Sequence, residues 1–178
     1  MPGEVYEGKS AQRDAVARVV ALTVNAASGL ASAVTLLGSI LMEKGEVKEA
    51  EANLVAAENL YRKFDGSDNT SIYDNIRLQA QVAYLAGDYV SAERKINVTL
   101  ENYRKTSGPK YISFATALTI QGLILNKRGN DSDAESVLRE AMRLRRENLP
   151  KGHFITALTE GALGAWRREE KKLTEADQ

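Results

Sequence analysis

The chain repeats itself every forty-two residues. The segment GEVKEAEANL at Gly45 returns as GDYVSAERKI at Gly87 and as GNDSDAESVL at Gly129, and a weaker copy, KKLTEADQ, begins at Lys171. A constant period of this length constrains the fold more tightly than any other feature. One such unit cannot bury its own apolar face, so successive units must stack on each other into a solenoid. The role implied by that architecture is an interaction scaffold.

The register extends past the glycines. Ala50, Ala92, Ala134 and Ala176 lie five residues after each repeat's marker, and Glu51, Glu93, Glu135 and Asp177 follow them. Gly38, Ala80, Gly122 and Gly164 lie seven before it. Leu54, Ile96 and Leu138 come later, then Ala57, Thr99 and Ala141. Within one repeat, Val34, Leu37, Gly38 and Leu41 form one helical stripe and Ala50, Leu54, Ala57 and Tyr61 form another. Gly45 breaks the two helices, because glycine accepts the left-handed conformation that ends many helices. Gly38, Ala50 and Ala57 lack bulk where paired helices approach closest.

The spacing predicts eight helices in an all-α chain. The first covers about 9–26. Pairs follow at about 30–44 and 47–64, 72–86 and 89–105, and 112–128 and 132–148, and the last covers about 154–172. The polar stretches DGSDNTS (65–71) and TSGPK (106–110) separate repeats. This organises the chain into an N-terminal segment, 1–29, carrying a packing or capping helix, and an array, 30–178. The array divides into repeats at about 30–71, 72–113 and 114–155 and a C-terminal half-repeat, 156–178. In that half-repeat Glu160 and Arg167 stand where apolar residues would face a partner helix. Two readings stay open: a cap with Leu163 and Trp166 turned inward, or the last helix of a longer array.

The skeleton of Gly38, Leu41, Gly45, Ala50, Leu54 and Ala57, repeated twice more, resembles the tetratricopeptide repeat (TPR). The forty-two-residue period resembles the kinesin light chain type, and LPKGHFITAL (149–158) is similar to the inter-repeat segment found in repeat regions attached to bacterial serine/threonine kinases. The resemblance covers about 30–178. It departs from the pattern at Val34, Ile76, Leu118 and Glu160, where a large aromatic is common, and in the missing closing proline. The fold it implies is a right-handed α-solenoid of antiparallel helix pairs, a TPR-like superhelix.

Lysine plus arginine number 24 and aspartate plus glutamate 24. No net field favours nucleic acid or an anionic membrane. There is no cysteine, which excludes disulfides and thiol chemistry. The localisation expected is cytoplasmic.

Two N-terminal features compete with the array. From Val19 to Met42 no residue is charged, long enough for a membrane span. A secretory leader is the other alternative, with an apolar run at 19–24 and Ala31-Ser32-Ala33 as a cleavage site. Asn25, Ser28, Gly29, Ser32 and Ser39 weaken the span, and Glu4, Glu7 and Asp14 spoil the leader. The repeat register favours two buried helices joined at Ala26–Gly29. GEVYEGKS (3–10) matches the phosphate-loop pattern GxxxxGKS, but a phosphate loop needs a strand before it, and only Met1 and Pro2 precede it. Gly3 and Gly8 fall on the slots of Gly45 and Ala50, one period earlier.

His153 is the only histidine and sits before the last helix, a position suited to packing or capping; it makes no zinc site alone. Asn69-Thr70-Ser71, Asn97-Val98-Thr99 and Asn130-Asp131-Ser132 match the glycosylation sequon without a leader to use it. No residues point to catalysis, a metal or a cofactor.

The resemblance places ligands on the first helices of the repeats, which line the concave surface. The lining slots carry Met42, then Arg77, Gln81 and Tyr84, then Thr119, Leu123, Asn126 and Lys127, and Arg168 in the last helix. Arg77, Lys127 and Arg168 suit carboxylates. Gln81, Thr119 and Asn126 suit a peptide backbone, and Tyr84 an apolar group. The slots that carry a chaperone-tail clamp in some family members hold Thr35, Ser39 and Leu78, so that ligand is not implied. The expected function is non-enzymatic binding of a peptide or protein segment in the groove. Two alternatives are a regulatory segment of a larger bacterial signalling protein such as a serine/threonine kinase, and self-association through Val16, Val19, Val20 and Val24.

Overall fold

A computed structural model of the chain describes residues 3–64, 66, 69–106, 108, 112–157, 159–161 and 163–164; for 3–17, 20 and 21 it describes the backbone alone. Six helices appear: α1 (Gly3–Glu43), α2 (Val47–Phe64), α3 (Thr70–Leu85), α4 (Tyr89–Thr106), α5 (Ile112–Lys127) and α6 (Asp131–Asn148). Helical residues resume at Phe154 and continue to Gly164 among those described. There is no strand among the described residues. The helices pack in successive antiparallel pairs, α1 with α2, α3 with α4 and α5 with α6, and each pair rests on the next through α2–α3 and α4–α5. The all-α solenoid is therefore present.

The turns inside the pairs obey the repeat. Gly45, Gly87 and Gly129 take φ of +80°, +80° and +77°. In each case the residue after the glycine donates back to the first helix, Glu46 to the Leu41 carbonyl, Asp88 to Ala83 and Asn130 to Leu125. The glycine N–H donates to Met42, Tyr84 or Asn126. This double closure satisfies carbonyls that the helix end would leave open.

Close packing of each pair uses the small residues in the expected way. A Cβ placed on Gly38 would lie 2.8 Å from Leu54 Cγ, and one on Gly122 would lie 2.6 Å from Leu138 Cγ. The α2 stripe of Ala50, Leu54, Ala57 and Tyr61 is buried throughout. The largest apolar cluster joins the second and third repeats and contains Ile96, Leu100, Tyr103, Phe114, Leu118 and Ile124.

One expectation fails. The break expected at Ala26–Gly29 is absent, and α1 runs through it as a single helix of 41 residues. The repeat register explains why. The later repeats are interrupted at Gly66 (φ +83°) and Gly108 (φ +70°), and the equivalent position one period earlier is Val24. A β-branched residue resists that conformation. Asn69, whose side chain accepts from the Ser71 N–H and caps α3, is matched by Ala27, which offers no acceptor. Ser28 instead bonds the Val24 carbonyl and Ser32 the Ser28 carbonyl, so their hydroxyls are satisfied along the helix. The boundary at 29/30 thus falls inside α1. The expected burial of this segment also fails: Val19 and Leu22 are 62% and 69% exposed, and the first buried residue described in α1 is Ala31. Gly3 to Ser10 is helical, not a phosphate loop.

Beyond α6, Leu163 packs against Ala134 and Leu138 of the third repeat. Glu160 pairs with Arg146 of α6 at 3.0 Å. Trp166, Arg167 and the KKLTEADQ copy lie outside the described residues.

Candidate functional site

The array has an inner side. α1 touches α3, and α3 touches α5, whereas no such contact among the described residues joins α2 to α4 or α4 to α6. The first helices of the pairs therefore crowd together and the second helices splay apart. The surface shared by the C-terminal half of α1, α3 and α5 is the concave one.

The forty-two-residue step gives Arg77 of α3 and Thr119 of α5 equivalent positions on their helices, and likewise Gln81 and Leu123, and Tyr84 and Asn126. All six are half-buried. Arg77 Nε is buried and has no hydrogen-bond partner. Tyr84 packs on the largest apolar cluster and its ring lies 5.7 Å from that of Tyr89. Thr119 Oγ1 donates to its own helix at the Ala115 carbonyl, 2.9 Å away. Asn126 Nδ2 donates across the hairpin turn to Asp131 at 3.1 Å, which holds its amide near the end of α5. Lys127 is exposed.

Met42 does not belong to this surface. It is 8% exposed and lies in a cluster with Ala50, Leu54 and Val82. Its thioether fills the gap between the first two repeats, a common use of a flexible apolar side chain. Arg168 lies outside the described residues.

A buried polar network beneath this face was not anticipated. Asn75 and Gln79 of α3 are 0% and 2% exposed. Asn75 Nδ2 donates to Thr35 of α1 at 3.0 Å, and Gln79 Nε2 donates to Asn75 Oδ1 at 2.9 Å. Gln79 also donates to Glu58 of α2 and accepts from Lys95 Nζ of α4, each at 2.6 Å. Gln79 thereby ties α2, α3 and α4 together, and Asn75 adds α1. A signal existed in the repeat alignment: the slot of Asn75 holds Ala33 and Ala117, so its amide breaks an otherwise apolar register.

A second polar device recurs in every repeat. Tyr61 meets Ser32 at 3.1 Å, Tyr103 donates to Asp74, and Arg145 donates to Thr116 at 3.1 Å. Each pair joins the end of a second helix to its first helix, one period apart, near the start of α3 and α5 and within the longer α1. Arg145 replaces the tyrosines, also reaches the Ile155 carbonyl at 2.9 Å, and so pins the segment after α6. Burial pulls its pKa down to about 10. His153 has the capping role expected of it: Nδ1 accepts from the Ile155 N–H at 3.3 Å, and the ring stacks on Phe154.

Ion pairs one turn apart run along the second helices, among them Arg62–Glu58, Lys105–Glu101 and Arg139–Glu135. Arg143 sits between Glu140 and Glu147, and hydrogen bonds to both raise its pKa above the usual arginine value. A cleft of about 550 Å³ lies beside it, lined also by Arg146 and Glu160, which pair with each other. Among the described residues no group of three His, Asp or Glu side chains is placed to hold a metal. One segment, Leu22–Glu43, is long and apolar enough to cross a membrane, and 11% of it is buried.

No known family model matches the sequence, and no curated protein matches it. The fold is similar to the crystal structure of BtubC (BKLC) from P. vanneervenii, a kinesin light chain-like helical protein of the TPR type, with a TM-score of 0.67 and 16% identity. The likeness covers 83% of this chain and 59% of that one, so the chain spans about three fifths of the protein it matches. At this identity the likeness is one of fold, an all-α array of stacked helix pairs.

Proposed function

We propose that the chain is a non-enzymatic scaffold that binds an extended peptide segment along the concave face of α3 and α5. The observation that carries this reading is the half-buried row Arg77–Thr119, Gln81–Leu123 and Tyr84–Asn126 on the side where the first helices converge. The Arg77–Thr119 step is polar on both helices, and the other two steps each set a polar group against Leu123 or the Tyr84 ring. An extended peptide crossing the helices meets one such group from each. Arg77 is half-buried, and its guanidinium suits a carboxylate or carbonyl of the peptide. Gln81 serves the peptide backbone, and Leu123 and the Tyr84 ring serve its apolar side chains.

The test is selection of binders from a random peptide library on the purified chain, followed by titration calorimetry. Arg77→Ala combined with Leu123→Ala should weaken the selected peptides at least tenfold, with the circular dichroism spectrum unchanged. Binding that both substitutions leave intact removes the concave face from consideration.

A further inference from the structure

We propose that α1 pairs with α1 of a second copy, antiparallel, along a seam on the face turned away from α2. Val19, Leu22, Ala26, Gly29, Ala33, Leu36 and Ile40 follow one another at alternating steps of three and four. That spacing keeps one stripe in line along a helix and selects another helix as its occupant. All seven are exposed, with Leu36 at 61%. The opposite face, with Ala31, Gly38 and Met42, is the one buried in the array.

The seam is self-complementary. Read in either direction it runs β-branched, Leu, Ala, Gly, Ala, Leu, β-branched. A two-fold interface presents one patch to itself, and a stripe symmetric about Gly29 meets that requirement in the antiparallel sense. Its centre is small, and a Cβ on Gly29 would meet nothing within 4 Å, so the two axes can approach closely there. The polar residues beside it do not oppose contact. Thr23 bonds the Val19 carbonyl, Ser32 that of Ser28 and Ser39 that of Leu36.

Charge selects the orientation. No charged residue lies between Arg18 and Glu43, which are both exposed. Antiparallel pairing brings Arg18 near Glu43 of the second copy at both ends, whereas parallel pairing sets like against like. The contact spans about 32 Å at the helical rise. A bilayer is the less fitting occupant. α2 is packed on the same helix and carries Glu49, Glu51, Glu58, Arg62 and Lys63, which a spanning α1 would draw into hydrocarbon.

The chain lacks cysteine, which allows a direct test. Light scattering during size exclusion of the full chain should give a dimer mass. Leu22→Glu with Leu36→Glu, both at exposed positions, should weaken dimerisation at least a hundredfold without loss of helicity. Under mild oxidation Gly29→Cys should cross-link two copies. Val19→Cys alone should not, whereas a mixture of Val19→Cys and Ile40→Cys should. A monomer at every concentration overturns the proposal, as does cross-linking of Val19→Cys with itself. Sedimentation of a monomeric chain with phosphatidylcholine vesicles, abolished by Leu22→Glu, overturns it in favour of the bilayer. None of these readouts depends on the concave face.

Discussion

The phenol of Tyr103, fully buried at the end of α4, donates a hydrogen bond to Asp74 in the first turns of α3. The same join is made by Tyr61 with Ser32 and by Arg145 with Thr116, so each second helix is latched near its C-terminal end to its first helix while a glycine turn closes the other side of the pair. Tyr103→Phe keeps the ring in its cluster and removes the donor. The expected loss is about 1–3 kcal/mol, because a carboxylate loses a charge-assisted bond. Urea denaturation should show a lower midpoint with an unchanged slope.

Gly122 and Leu138 form the tightest approach between paired helices, at 2.6 Å for an added Cβ. Gly122→Ala gains about 1 kcal/mol of helix propensity. It meets an overpacking cost of about 1–3 kcal/mol, because the obstructing atom is the branch point of the leucine. The net effect should be destabilising. The second repeat carries Ala80 and Ile96 at the same two places. Gly122→Ala with Leu138→Ile should therefore lose less than the sum of the single changes in a double-mutant cycle.

Gln79 bonds two other helices, through Glu58 of α2 and Lys95 of α4, and the preceding turn of its own helix through Asn75. Replacing it by leucine strands a buried Asn75 amide oxygen, at about 1–3 kcal/mol. Asn75→Ala with Gln79→Leu removes both members and gives α3 the pair that the first repeat carries at Ala33 and Leu37. Since Leu37 stands at the Gln79 slot of the first repeat, although Gln121 stands there in the third, the double substitution should recover part of that loss in thermal denaturation.

Asp88 holds the start of α4 by accepting from the Ser91 backbone N–H at 3.0 Å. This bond lowers its pKa below the ordinary value, with the Ser91 side chain adding to the effect. A carboxylate whose folded pKa is depressed stabilises above its unfolded pKa, and that stability is lost as pH falls through the folded value. The first turn of α4 should fray in that acid window, seen as faster amide exchange at Ser91. Asp88→Asn, which keeps an acceptor, should remove the pH dependence.

The glycine turns at Gly45, Gly87 and Gly129, the helix pairs between them and the close approach at Gly38 were all legible in the sequence. Each depends on residues within one period, and the period repeats the evidence. The equivalence of Arg77 with Thr119, Gln81 with Leu123 and Tyr84 with Asn126 follows from the same period. The burial of Met42 was not legible, because whether that slot faces solvent depends on how Val82 of the next repeat packs against it. Asn75 and Gln79 gain their partners from α1, α2 and α4, at separations no local pattern encodes.

The order of helices along the chain is thus a property of the sequence itself, since propensity, turn glycines and periodicity act over a few residues. Which faces those helices bury, which side of the array is concave and where α1 is left bare were decided only by the tertiary structure. Those outcomes arise from competition among distant surfaces for the same partners, and Val24, standing where its repeats keep a glycine, let one helix outgrow the neighbour that covers it.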